Sequence, residues 1–203
     1  MNDRPLIDDS KTNHIDSGFN QDIFSNLNQI KISNSEIFLE LGNILTSKVD
    51  VIVNPTGSHL NLKWGSLSKH ILSSAGQIVQ TECQLKYPNG IDSDQVAITS
   101  AGNISGVTSL FHVTCPAFNN SNSETSCKVI SKIITNCLNE LVKNNYNSIA
   151  VPSIGAGGLG YPADLAAKAI LTSIISFLNL NRTKKIKVNI IIYEKDIHIF
   201  QVN

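Results

Sequence analysis

Gly155, Gly157, Gly158 and Gly160 crowd into the stretch Val151-Pro-Ser-Ile-Gly-Ala-Gly-Gly-Leu-Gly-Tyr-Pro162. Glycine is costly to order, so this density makes sense where backbone must approach another group closely with its amides turned inward. The apolar run Ser148 to Val151 reads as a buried strand before the loop, and Pro162 suits the first turn of a helix after it. A strand, a glycine loop and a helix N-terminus in that order build an anion cradle, because unpaired amides and the helix dipole both favour a phosphate. The chemistry implied is binding of a phosphorylated, nucleotide-like ligand. The competing reading of the same residues is a tight turn and nothing more.

Two well-known phosphate loops do not fit. No Gly-Lys-Ser/Thr follows, so the stretch is not a P-loop. Gly155, Gly157 and Gly160 meet the bare spacing of the dinucleotide fingerprint, but late in the chain. The next acidic residue, Asp164, already falls inside the following helix instead of about 20 residues on.

A second loop points to the same chemistry. Asn54-Pro-Thr-Gly-Ser-His-Leu-Asn-Leu-Lys-Trp-Gly65 leaves a β-rich run at Val53 and enters a helix at Gly65 and Ser66. Asn54 at the strand end is expected to lock this loop through side-chain bonds to backbone. Two helix N-termini aimed at one groove suit a diphosphate better than a single phosphate. Around them, His59 offers a loop base or an exposed loop histidine, and His70 and His112 read as structural. Lys63 and Lys69 either attract the anion or are solvated charges, and Trp64 either covers the groove or packs beneath the loop.

These loops need a scaffold whose strand ends converge. Residues 1–34, rich in Asn, Asp and Ser, read as a flexible lead-in or a linker from a longer protein, with Ile30 to Ile32 able to add an edge strand. From Glu36 on, strands and helices alternate. Ile37 to Leu41, Val49 to Val53, Gln95 to Thr99, Leu110 to Cys115, Ser148 to Val151 and Lys187 to Tyr193 are β-rich; Gly65 to Gln80, Glu124 to Lys143 and Pro162 to Leu178 carry helical apolar stripes. The pattern predicts a three-layer α/β/α sandwich with a mixed, mostly parallel central sheet over residues 35–203. Ligands in such sheets sit at the carboxyl ends of the strands, which puts the loops after Val53, Val151 and Ile192 around one crevice.

Composition narrows the partners. With 203 residues, 41% hydrophobic, the chain is long enough for one domain with a real core. Sixteen basic and sixteen acidic residues leave a formal net charge of zero, which argues against nucleic acid or an anionic membrane as the main partner. No signal region or membrane-length apolar run is evident. Cys83, Cys115, Cys127 and Cys137 form no zinc pattern, and no metal site is expected. A reducing, cytoplasmic or nuclear setting fits.

Five segments in register resemble the macrodomains, a family of ADP-ribose-binding modules. They are Leu41-Gly-Asn-Ile44 with Val49-Asp-Val-Ile-Val-Asn54, the loop and helix Gly65 to Gly76, the strands Val96 to Gly102 and Phe111 to Pro116, and Val151 to Pro162. The resemblance covers about Glu36 to Val202 and is nearest in flavour to the tandem macrodomains of poly(ADP-ribose) polymerase-family proteins. It implies an ADP-ribose site built from Asn43, Ile44, Asn54, Gly65, Ser66, Leu67, Ser68, Ser153, Ile154, Gly155, Ala156, Gly157, Gly158, Leu159 and Tyr193. Asn43 falls where the family has an acid that accepts from the adenine amine, and Tyr193 where an aromatic packs on adenine. The amides of Ser66 to Ser68 and Ile154 to Leu159 would face the diphosphate.

The residues that hydrolytic members use are replaced. Glycine stands at position 57 where one class grips the distal ribose with Asn. An Asp used by some members falls on Ser68, and the aromatic beside the distal ribose falls on Leu159. A class with a Lys nucleophile and an Asp finds only Gln95 and Leu159. The resemblance therefore implies a reader of mono-ADP-ribosylated proteins with no catalytic residue and no cofactor. Alternatives are an ADP-ribosyl hydrolase of unrecognised mechanism and a degenerate macrodomain used for protein contacts. A monomeric domain or a part of a longer multidomain chain is expected.

Overall fold

The β-rich runs, dominated by Val and Ile, pair into one sheet whose inner strands are covered on both sides. The computed structural model describes residues 29–193. Its strands are β1 (Gln29–Ile32), β2 (Ser35–Leu41), β3 (Val51–Thr56), β4 (Ala97–Ser100), β5 (Ser109–Thr114), β6 (Ser148–Pro152) and β7 (Lys187–Ile192). The helices are α1 (Ser66–Ala75), α2 (Gln77–Lys86), α3 (Ser123–Lys143) and α4 (Ala163–Leu180), with a 3-10 turn at Ile44–Thr46. The strand order is β1-β2-β7-β6-β3-β5-β4. The β2–β7, β7–β6, β6–β3 and β3–β5 pairs are parallel, and the edge pairs β1–β2 and β4–β5 are antiparallel. This is the mixed, mostly parallel α/β/α sandwich that the alternation predicts. β1 takes residues 29–32 into the sheet as an edge strand; residues 1–28 and 194–203 lie outside the described residues.

Alternation along β3 shows how the layers divide. Val51 and Val53 pack with the α3 and α4 layer, whereas Ile52 packs with Ile71, Ala75 and Val79 of α1 and α2. The α4 helix is long and apolar enough to pass for a membrane-crossing segment, with a mean hydropathy of 1.4 over 18 residues. Here Ala166, Ile170, Ile174, Phe177 and Leu178 are buried in the core.

Two expectations from the sequence are corrected. The helix expected over Gly65 to Gln80 is two helices, because Gly76 takes φ 86° and ψ 169° and breaks it; the second runs on to Lys86. The break lets the 101–104 turn dock on the end of α1. Asn103 N–H donates to Ala75 O at 2.9 Å, and Gly102 comes so close that a Cβ there would lie 2.1 Å from the same carbonyl. The second correction concerns β3, which continues to Thr56. Asn54 is therefore inside a strand and not at the start of the loop, and its side chain bonds to side chains and not to loop backbone.

Candidate functional site

Because β2, β3, β6 and β7 run parallel, their carboxyl ends share one edge, and a cavity of about 480 Å³ opens there. Three walls line it: Gly42 to Leu45 after β2; Ser66, Leu67 and His70 of α1; and Pro152 to Leu159 after β6. Pro55, Ile191 and Tyr193 complete it. Of the residues expected at a ligand site, Asn43, Ile44, Ser66, Leu67, Ser153, Ile154, Gly155, Ala156, Gly157, Gly158, Leu159 and Tyr193 are brought together here. Asn54, Gly65 and Ser68 are not in its wall.

Asn54 and Ser68 act one layer back. Both are fully buried. Ser68 Oγ donates to Asn54 Oδ1 at 3.0 Å, Asn54 Nδ2 lies 2.9 Å from His112 Nδ1, and His112 Nε2 lies 2.9 Å from Thr99 Oγ1. The donor–acceptor pattern fixes the direction. The Asn54 amide can only donate to Nδ1, so the proton of neutral His112 sits on Nε2 and is given to Thr99. Thr99 Oγ1 then donates to Ser100 O at 3.0 Å. Burial pushes the His112 imidazole down to about 4, against a smaller upward pull from Glu82. The chain ties the sheet interior to the first turn of α1 with every member satisfied, so the expectation of a structural His112 holds in its geometry.

Amide groups dominate the two anion-facing walls. Gly65, the N-cap of α1, has no side-chain cap, and the first helical bond is Lys69 N–H to Gly65 O. The N–H groups of Ser66, Leu67 and Ser68 thus have no acceptor among the described residues. In the second loop, Ile154, Ala156, Gly160 and Tyr161 spend their amides on internal turns. Those of Gly155, Gly157, Gly158 and Leu159 have no acceptor among the described residues. Gly155 (φ 89°) is needed for packing, since a Cβ would sit 2.9 Å from the Tyr161 ring. At Gly157 and Gly158 a Cβ would meet nothing within 4 Å, so both backbones face open space. α4 begins only at Ala163, and its first residues are not in the wall. One helix N-terminus, not two, therefore serves the groove, and the loop's own amides take the second role.

The side chains contribute little charge. Among the described residues of the wall only His70 and Tyr193 carry titratable side chains; there is no carboxylate, amine or thiol. Burial pushes Cys83 up to about 11 and Cys137 up to about 12, and raises Cys115, so these thiols stay protonated. No group of three or more His, Cys, Asp or Glu suited to a metal occurs among the described residues. His59 and Lys63 line a separate groove with Gln77 and Gln80, and Lys69 is outside the wall. Trp64 is 69% exposed, which rules out packing beneath its loop. His70, read from sequence as structural, lines the cavity. The signal was available: residue i+4 from Ser66 lies on the same helix face, and its side chain leans back over the first turn.

Comparison with known proteins agrees with this architecture. The family profile described as Macro domain matches residues 53–170. The human protein mono-ADP-ribosyltransferase PARP14 is 31% identical over 145 residues, which are 71% of this chain and 8% of that protein. The chain thus spans only a small part of that relative. The O-acetyl-ADP-ribose deacetylase of Klebsiella pneumoniae (strain 342) is 30% identical over 140 residues, covering 68% of this chain and 78% of that enzyme. The structure of the Oceanobacillus iheyensis macrodomain with ADP superposes with a TM-score of 0.74 at 27% identity, over 85% of this chain and 92% of that one. With the profile matching more than half of its length, the chain belongs to the macro domain family.

Proposed function

We propose that the cavity binds ADP-ribose and that the domain reads mono-ADP-ribosylated proteins without removing the modification. The observation that carries this reading is the wall itself: Ser66 and Leu67 on one side and Gly155, Gly157, Gly158 and Leu159 on the other line a groove with amides that have no acceptor among the described residues, and the groove's described lining holds no carboxylate. Such a groove can hold a dianion but supplies no general base of the carboxylate type. In this reading adenine lies between Asn43, Ile44 and Tyr193, with the diphosphate between α1 and the second loop. The distal ribose then points toward Gly57, where a Cβ would meet nothing within 4 Å. That opening leaves room for the side chain of a modified protein. The Oceanobacillus iheyensis macrodomain, whose structure was solved with ADP, supports a nucleotide diphosphate as the class of ligand.

The geometry also supports the absence of hydrolysis. Ser68 is buried with its hydroxyl committed to Asn54. Leu159 packs on the core, and Gln95 Oε1 accepts from Asp92 N–H at 2.9 Å away from the cavity. None of the three is placed to activate water. A reducing, cytoplasmic or nuclear compartment and a place within a longer chain belong to the same reading.

Calorimetric titration with ADP-ribose, beside AMP and ADP, tests the binding. Saturable binding that is weaker for AMP is expected; no heat at high micromolar ligand would sink the proposal. Incubation with a mono-ADP-ribosylated protein tests the reader role, with no free ADP-ribose expected. The deacetylase relative and the position of His70 favour a second reading, hydrolysis; release of ADP-ribose that is lost in Gly158→Glu would establish it instead.

A further inference from the structure

We infer that His70 is a ligand-contacting residue of this cavity and that ADP-ribose binding draws a proton onto it, so that affinity rises as pH falls. The inference rests on the ADP-ribose reading and adds to it a coupling between the site and pH. His70 stands one turn into α1, and its Nδ1 lies 2.8 Å from Ser66 O. A carbonyl can only accept, so Nδ1 carries hydrogen and Nε2 is the free nitrogen. A helical side chain leans toward the N-terminus of its helix, which sets the ring over the turn whose Ser66 and Leu67 line the same cavity. Neutral His70 meets the ligand with a lone pair on Nε2. Protonated, it meets the ligand with an N–H and a positive charge.

No other described group of the wall can make that change. The 42–45 wall and the 152–159 wall contribute no titratable side chain, and the β7 end contributes only Tyr193. On α1 itself, Lys69 is outside the wall, and among the described residues no carboxylate lies within ion-pair distance of His70. A diphosphate entering this groove finds neutral amides and one imidazole. The negative charge stabilises imidazolium, and by linkage the imidazolium stabilises the bound ligand. A hydrogen bond to an ionised partner is the stronger kind, so the change expected between pH 8 and pH 6 is about tenfold in Kd.

Calorimetry with ADP-ribose at pH 8 and pH 6, in buffers of different ionisation heat, gives both the affinity and the protons taken up. The wild-type domain should bind about tenfold tighter at pH 6, with net proton uptake on binding. His70→Ala and His70→Gln should bind with nearly equal affinity at the two pH values and take up no proton. His70 is solvent-exposed on its helix, and a thermal melt of each variant establishes that it is folded. An unchanged pH slope in both variants, or pH-independent binding by wild type, overturns the inference while leaving the ADP-ribose site standing. Failure to bind at either pH overturns both.

Discussion

The two loops that flank the cavity reach the same end by opposite means. The first, residues 57–65, is held by side chains. Leu60 and Leu62 are buried beneath it, and Gln80 donates to Leu60 O and accepts from Leu62 N–H at 3.1 and 2.8 Å. Ile91 N–H closes on Ser58 O at 2.8 Å. Its gift to the cavity is indirect, since it delivers the uncapped first turn of α1. The second, residues 153–162, is held by backbone. Gly155, Gly157 and Gly160 take positive φ, and the anchors are the Tyr161 ring against Gly155 and Phe118 N–H to Leu159 O at 2.8 Å. Its gift to the cavity is direct, since Gly155, Gly157, Gly158 and Leu159 line it with amides that have no acceptor among the described residues. A loop built from side chains is sensitive to loss of burial and pairing, whereas a loop built from glycine backbone is sensitive to added atoms.

The largest effect on binding should come from adding atoms to the second loop. At Gly158 the backbone does not occupy the left-handed region and a Cβ meets open space, so Gly158→Glu introduces bulk and charge without strain. Gly157→Glu would add backbone strain at φ 138° and so be harder to interpret. A carboxylate among those amides competes with and repels the diphosphate, and like-charge juxtaposition costs several kcal/mol. A loss of ADP-ribose affinity of ~100-fold or more is expected by calorimetry, with an unchanged melting temperature. Retained affinity would mean that this loop does not hold the ligand.

Removing a buried partner under the first wall should act on stability first. Asn54→Leu leaves the Ser68 hydroxyl and the His112 imidazole without their mutual link, both fully buried. Each orphaned group costs about 1–3 kcal/mol, so a loss of about 4 kcal/mol in urea unfolding is expected. Binding should weaken only as far as the α1 turn shifts. An effect on binding with none on stability would make Asn54 a ligand residue after all, and the contrast between the loops would fail.

Acid probes the same chain without a mutation. The imidazole of His112 is held down to about 4 in the folded protein, chiefly by burial, against about 6.5 unfolded. The unfolded state therefore binds the extra proton between those values, and stability falls as pH falls through that window. The His112 contribution is fully present above about pH 6.5 and shrinks by about 3 kcal/mol on reaching pH 4. Protonation also places a second N–H donor against the Asn54 amide. Replacing His112 with Gln should flatten this part of the profile; a slope that survives the change would assign it to other groups.

The contrast explains what the chain disclosed before its structure was known. Glycine density announced the second loop, because few other reasons justify four glycines in so short a stretch. The alternation of Val and Ile runs with helical stripes gave the layered architecture for the same reason: period is local. Partnering is not local. Nothing in the neighbourhood of Asn54 reveals that it meets His112, 58 residues on, and thereby leaves the wall of the cavity. The turn at Gly76 was legible as a cost but not as a break, since its reason is the approach of Gly102 to Ala75 O. His70 hid behind its sequence neighbours, although its spacing from Ser66 was sufficient to place it.

The smallest effect concerns Asn43, in the wall that follows β2. Its Oδ1 accepts from Leu45 N–H at 3.0 Å and caps the 3-10 turn. With that oxygen so engaged, the amide's remaining end is Nδ2, a donor. An adenine amine is also a donor, so in the proposed pose the two face each other without a bond unless Asn43 shares its one oxygen or turns and gives up the cap. Asp at this position has two acceptor oxygens, one for Leu45 N–H and one for the base, and both bonds gain charge assistance. Asn43→Asp is therefore expected to tighten ADP-ribose binding about fivefold. ADP and AMP should gain by a similar factor, because they carry the same base. Gly158→Glu should lose far more for ADP-ribose and ADP than for AMP. If Asn43→Asp instead weakens all three nucleotides, the added charge is felt at the diphosphate, and the base does not rest on Asn43.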